Sequence, residues 1–170
     1  FEPIVAAPKK SFLYEESKIN GVEVKDFTCR GTFTPTGVVK LIKIIKKEKI
    51  KILHVHQGKL YWTALLMKLF FPDIKVVLHR RQDTRHKWYA KWHYKIADMT
   101  LTVSKVVKDN LIKYENAPIN RVQVLYNAFD ITKFERETDC SDIIKEYGLE
   151  NKFVIGTVGA IVSLEGKGQQ

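Results

Sequence analysis

The sequence predicts an α/β fold, a doubly wound parallel sheet, on three observations. Short runs rich in Val, Ile and Leu alternate with longer stretches whose apolar residues recur at helical spacing. Several of these runs lack the alternation of a half-wet strand, as expected for parallel strands covered on both faces. The repeated order strand, helix, strand then demands crossover connections, which are right-handed.

The elements follow in chain order. "PIVAAP" and "VEVKDF" read as the first two strands. Val38, Val39, Leu41, Ile42, Ile44 and Ile45 then form one apolar helical face. The strand "KILHVH" comes next, followed by a helix carrying Leu60, Ala64, Leu65, Met67, Leu69 and Phe70, which Pro72 stops. "KVVLHR" is the fourth strand. A helix over about residues 85–97 stacks Trp88, Trp92 and Ile96 at i, i+4 and i+8, with Lys87, Lys91 and Lys95 facing outward. "MTLTVS" is the fifth strand, and Ser104 is placed as N-cap of "KVVKDNLIKY". "RVQVLYN" is the sixth. The stretch "YNAFDITKFERETDCSDIIKEYGLEN" breaks the rhythm with a turn, an acidic segment and a helix ending at Gly148. "KFVIGTVG" reads as a new strand beyond it.

Composition narrows the function. The 170 residues are 45% hydrophobic, enough for one buried core. The chain starts at Phe1 and stops just after a strand-like run, so a piece of a longer polypeptide is expected. Net charge is +10. Lys75, Arg80, Arg81, Arg85, Lys87, Lys91 and Lys95 face a single acid, Asp83, between residues 75 and 95. Lys40, Lys43, Lys46, Lys47, Lys49 and Lys51 form a second cluster around Glu48. Such clusters attract phosphates, nucleic acid or an anionic leaflet, or are solvated helix faces. Cys29 and Cys140 have no CxxC spacing, which suits a reducing cytoplasm. No run reaches the roughly 20 apolar residues of a membrane span.

Ligands of open α/β sheets gather beyond the carboxyl ends of the strands. His56, Gln57 and Lys59 leave one strand there; Arg80, Arg81 and Asp83 leave another; Ser104 and Asn127 leave two more. His54 and His56 point to one strand face, but no Asp, Glu or Cys stands nearby at ligand spacing. The expectation is therefore no metal, with His54 a satisfied core histidine and His56 a substrate contact. No GxSxG, Walker A or GxGxxG motif is present. The basic, aromatic-laced "RHKWYAKWHYK" is either an ordinary amphipathic core helix or an interfacial helix on anionic lipid.

"KILHVHQGKLYWTALLMKLFFPDIKVVLHRRQD", "ADMTLTVSKVVKDNLIK", "VQVLYNAFDITKF" and "KFVIGTVGAIVSLEGKGQQ", in that order, resemble the retaining GT-B glycosyltransferases of family four, which build lipopolysaccharide cores, capsules and glycolipids of the cell envelope. The resemblance implies a Rossmann-like sheet, the N-terminal half of a GT-B fold truncated at both ends. Residues 1–135 would be the acceptor-binding domain without its first strand and helix, 136–152 a linker and helix, and 153–170 the first strand of the nucleotide-sugar domain.

The implied function is transfer of a sugar from a nucleotide-diphosphate sugar to a saccharide or glycolipid acceptor with retention. The fragment alone would be inactive. It implies His56, Gln57, Lys59, Arg80, Asp83, Ser104, Asn127 and Asp130 at the acceptor, and Lys167 on the donor diphosphate. Either His79 or Arg81 would hold the near-catalytic place; Arg81 cannot act as a base and would bind phosphate or an acidic sugar. Ala160 stands after Gly159 where the family carries a basic residue. No metal cofactor is implied, since Lys, Arg and helix N-termini can stabilise the departing diphosphate. A cytoplasmic enzyme, peripheral on the inner face of the membrane, follows from the acceptor type. Two other readings stay open from charge and fold alone: a basic nucleic-acid- or anion-binding module, and a nucleotide-binding scaffold without chemistry.

Overall fold

Capping residues and left-handed turns cut the chain where the apolar patterns stop. In the computed structural model, residues 2–29, 31, 34–83, 91–133 and 139–156 are described. Strand β1 (Ile4–Ala7) leads into helix α1 (Phe12–Ile19), whose N-cap Ser11 accepts from the Tyr14 amide. Gly21, at φ +71°, turns the chain into β2 (Glu23–Asp26). Helix α1 has no counterpart among the helices expected from sequence. Its apolar residues Phe12, Leu13 and Ile19 are exposed, so no buried stripe announced it.

Helix α2 (Pro35–Lys47) begins with proline at its first position. Gly37 lies against Cys29 and Thr34; an added Cβ would meet Thr34 Oγ1 at 2.8 Å and Cys29 Sγ at 2.9 Å. The rest of the unit comprises β3 (Ile52–Val55), α3 (Tyr61–Phe70), β4 (Lys75–Arg80), α4 (Lys91–Ile96), β5 (Met99–Thr102), α5 (Lys105–Glu115) and β6 (Val122–Val124). Ser104 caps α5 through the Val107 amide, as the sequence predicts.

All strand pairs are parallel. β1 and β2 form one sheet, and β3-β4-β5-β6 form another in chain order. Winding in one direction with right-handed crossovers puts α3, α4 and α5 on the same face of the larger sheet. Register then decides what is buried. Val55, Val76, Leu78, Arg80, Thr100, Thr102 and Val122 share that face, and each is buried. They pack with Leu41 and Ile45 of α2, Tyr61, Ala64, Leu65 and Met67 of α3, Tyr94 of α4 and Leu111 of α5. The opposite face carries Ile52, His54, Val77, His79, Met99 and Leu101 and is less covered.

Two charged side chains fasten this core. The Arg80 guanidinium, 5% exposed, lies 3.4 Å from the Glu115 carboxylate of α5, 6% exposed. Arg80 was expected at the acceptor beside Arg81; the structure corrects this. Neighbouring residues of a strand point to opposite faces, so Arg80 turns under the sheet while Arg81 stays outside. Near it, burial pushes the Tyr61 hydroxyl up to about 12, and Tyr61 donates to the His79 carbonyl at 2.8 Å.

Asp98 is the second fastening. Its carboxylate accepts from Lys68 of α3 and from the Val76 amide of β4, with Lys75 3.6 Å away. Its own amide donates to the Val76 carbonyl. Burial acts to raise the Asp98 pKa, but Lys68, the Val76 amide and Lys75 together hold it below the ordinary value.

Helix α4 differs from expectation in its rotation. His93, Tyr94 and Ala97 are buried, whereas Trp92 is 53% and Ile96 41% exposed. Lys95 sits 5.2 Å over the Trp92 ring. The buried Tyr94, aimed into the polar core near Arg80 and Glu115, decides the face. Trp88 lies outside the described residues.

The chain divides into two compact units, Phe1–Ala128 and Phe129–Gln170. In the second, Asp139 accepts from the Ser141 amide ahead of α6 (Ser141–Glu146), and Gly148 at φ +57° ends the turn after it. Residues 152–156, read as opening a strand, carry no regular structure and expose Phe153, Val154 and Ile155. A parallel strand needs a neighbour to pair with, and among the described residues they have none. No described helix is long and apolar enough to cross a membrane.

Arg80→Ala is expected to cost about 3–5 kcal/mol by urea denaturation, because it strands the Glu115 charge in the core. Arg81→Ala should stay within about 0.5 kcal/mol, and an Arg80→Met, Glu115→Gln pair should recover part of the loss. Asp98→Asn is expected to lose roughly 1.5–3 kcal/mol at neutral pH. Since the folded Asp98 pKa is depressed, its contribution is present above the unfolded value of 3.8 and lost as pH falls through the folded value. The gap between wild type and Asp98→Asn should therefore narrow in urea titrations run at progressively lower pH below that value; a constant gap would contradict the anchor.

Candidate active site

Because the four strands of the larger sheet run the same way, their carboxyl ends share one edge. β3 ends at Val55 and delivers His56 and Gln57, both exposed. A short 3-10 turn, Gly58–Leu60, places Lys59 before α3 begins. β4 delivers Arg81, Gln82 and Asp83, all exposed. β5 delivers Ser104, and β6 delivers Leu125, Tyr126 and Asn127. The Leu125 amide donates to the Thr102 carbonyl at 2.8 Å, carrying the β5–β6 ladder out to this edge.

The predicted residues His56, Gln57, Lys59, Arg81, Asp83, Ser104 and Asn127 therefore leave one edge of one sheet. Asp83 is held there: both its oxygens accept from the Asn110 amide of α5, at 3.0 and 2.8 Å. The Ser104 hydroxyl accepts from the Val107 amide as the cap of α5, at 3.2 Å. Asp130 belongs to the second unit, where it accepts from the Thr132 amide and hydroxyl. Lys167 and Ala160 lie outside the described residues.

His79 is placed differently from Arg81. It is 7% exposed, and neither ring nitrogen has a hydrogen-bond partner among the described residues. The register sets His54 opposite Val77, so His56 comes opposite His79, two residues further on. His54, expected in the core, is exposed and stacks on His79, with ring centroids 5.3 Å apart. Among the described residues β3 has a strand on one side only and its His54 face is the less covered one, which is the physical reason for the difference. The His54–His56 and His56–His79 centroids are 4.2 and 5.0 Å apart.

All three imidazoles are held below their ordinary pKa. Partial loss of hydration is the main cause in each, even though His54 and His56 keep a solvent-exposed side. For His56, which comes down to about 4, the charges of His54, His79 and Arg81 add to it. These rings are thus neutral at neutral pH, competent to accept a proton or a hydrogen bond. Arg81 supplies the permanent positive charge beside them.

Sequence reasoning missed His54 and Asn110. The signal for the histidines was present: each lies close to the carboxyl end of its strand, and in-register parallel pairing brings such residues together. Asn110 gives no such signal, since it sits mid-helix. The basic cluster on α2 is partly neutralised, with Lys40 2.8 Å from Asp26. Lys25 lies within 2.7 Å of both Glu23 and Glu48. A hollow of about 230 Å³ beside these pairs is lined by Lys43, Lys47 and Ile44 as well; a solvated helix face accounts for it.

The Glycosyltransferase Family 4 domain matches residues 1–133. No curated protein sequence matches the chain closely enough to count as a relative. Among solved structures, HepE of Anabaena, crystallised with UDP and glucose, superposes with TM-score 0.67 at 15% identity, over 87% of this chain and 43% of that one. A glycosyltransferase from Rickettsia africae gives 0.72 at 18% identity, over 86% of this chain and 41% of its own. The chain spans less than half the length of either. Their likeness shows the Rossmann-like α/β fold of parallel strands, in keeping with the GT-B arrangement. By the span of the domain match, the chain belongs to glycosyltransferase family 4.

Proposed function

We propose that this chain forms the acceptor-binding half of a retaining glycosyltransferase, which moves a sugar from a nucleotide-diphosphate donor to an anionic saccharide or glycolipid. The observation that carries the reading is the shared strand edge, where His56, Gln57, Arg81, Asp83, Ser104 and Asn127 stand together. Hydroxyl-rich acceptors are recognised by such mixed donors and acceptors. The retention of configuration, the donor and the acceptor type rest on the resemblance of the motifs to the family.

Arg81 has the better-defined role. Its guanidinium is charged at every physiological pH and cannot take a proton from the acceptor. Exposed beside neutral imidazoles, it suits a phosphate or an acidic sugar through paired N–H donors. His79 is the better proton acceptor by chemistry, but it is buried; its place is to shape the floor on which His56 packs. Asp83, fixed by Asn110, accepts from an acceptor hydroxyl. In the full-length enzyme the leaving diphosphate would be met by cations and helix N-termini from the other half, with Lys167 in the clamp.

An acceptor at a membrane surface accounts for the net charge of +10. The outer side of α4 adds exposed Trp92 and Ile96 with Lys95, a mixture that suits the lipid headgroup layer. On this reading the enzyme works at the inner face of the membrane.

In the full-length enzyme, Arg81→Ala is expected to lower kcat/KM for the acceptor by roughly 10- to 100-fold, the worth of a charge-assisted contact, with the melting temperature unchanged. Parallel loss of both would make Arg81 structural. These 170 residues alone are expected to transfer no sugar from any nucleotide sugar, and robust turnover would overturn the half-cleft assignment. Binding to acidic vesicles that falls with salt, without comparable binding to DNA or RNA, is the third expected result.

A further inference from the structure

Three histidines converge where the sequence offered only two. His54 lies on β3, His56 follows just beyond its end, and His79 stands across the ladder on β4. One ring nitrogen from each can be chosen so that all three lie within 4.8 Å of one another. We propose that His54, His56 and His79 form a binding site for a divalent transition-metal ion, with zinc the best fit, at the carboxyl edge of the sheet.

The donor chemistry selects the ion. Three imidazoles and no carboxylate suit Zn²⁺, Co²⁺, Ni²⁺ or Cu²⁺ and do not suit Ca²⁺ or Mg²⁺, which require oxygen ligands. Three histidines with a fourth position left to water or a ligand is an established zinc arrangement. Zn–N bonds of about 2.0–2.1 Å in a tetrahedron place the nitrogens roughly 3.3 Å apart. Closing from 4.8 Å needs only side-chain rotation, and His54 and His56 are exposed and have room for it.

The scaffold supports the same assignment. His54 is held by β3 and His56 follows two residues later at its carboxyl end, and His79 is fixed by burial and by the Tyr61 hydrogen bond to its carbonyl. The two nitrogens of His79 have no hydrogen-bond partner among the described residues, an unfavourable state for a buried polar group. A bound ion satisfies one of them. Two features temper the affinity. Arg81 adds positive charge beside the site, and His79 lacks the outer hydrogen bond that usually tightens a ligating histidine. Micromolar rather than nanomolar binding follows. The spacing argument from sequence weighed ligands along one strand, whereas the third ligand proposed here comes from the next strand.

The test uses the tag-free chain stripped with EDTA and titrated with ZnCl₂ by calorimetry, with CoCl₂ followed in the visible spectrum. One equivalent should bind, with the intense ligand-field bands of four-coordinate Co²⁺, and CaCl₂ and MgCl₂ should not compete. His54→Gln and His56→Gln, both exposed and safe for folding, should each weaken Zn²⁺ at least about tenfold. His79→Gln should abolish the Co²⁺ bands if that variant folds. Absence of binding by the wild-type chain, or unchanged binding in the His54→Gln, His56→Gln double variant, overturns the site. The readout is independent of sugar transfer, so its failure leaves the glycosyltransferase reading standing, and the converse holds.

Discussion

Every strand pair among the described residues is parallel, and a parallel neighbour can be reached only by carrying the chain back along the sheet. That constraint produces the helices between strands, and the right hand of the crossover puts α3, α4 and α5 on one side. It also gathers the four strand endings of the larger sheet on one edge. The residues that follow β3, β4, β5 and β6 are therefore neighbours in space although they are spread from His56 to Asn127 in sequence. A hydrophobic core on one face and a polar rim along one edge are two results of a single topological rule.

Burial of Arg80 against Glu115 ties this rim to the core. Arg80 is the last residue of β4, directly before Arg81, so the charge pair under the sheet fixes where the exposed guanidinium starts. Tyr61 acts similarly on His79 through the backbone carbonyl. Neither contact is made by the exposed residues of the rim. Both hold the strand ending in register while the side chains beyond it stay free to bind, and the ion pair costs desolvation that a purely apolar core would avoid.

The fold was legible because it is written in composition: β-branched runs, a proline at the start of α2, Ser104 before α5. The strand edge was legible for the same reason, since once the strands are placed their endings follow. What was hidden depends on facing and register. Arg80 and Arg81 read as a pair, yet alternation sends them to opposite faces. Trp92 looked like a core residue by its spacing from Ile96, but the polar core beneath selects His93 and Tyr94 instead. His54 looked buried because it sits inside an apolar run, although β3 lies at the rim of its sheet. Helix α1 was invisible because it buries almost none of its apolar side chains.

The division into a two-stranded and a four-stranded sheet leaves the outer side of β3 as a row of backbone donors and acceptors without a strand beside it among the described residues, with Ile52 and His54 exposed along it. Backbone in that condition is indifferent to the identity of what it pairs with, and natural sheets guard such rims with charge, proline or cover. Lys51 is the nearest guard here, at the start of the strand rather than along it.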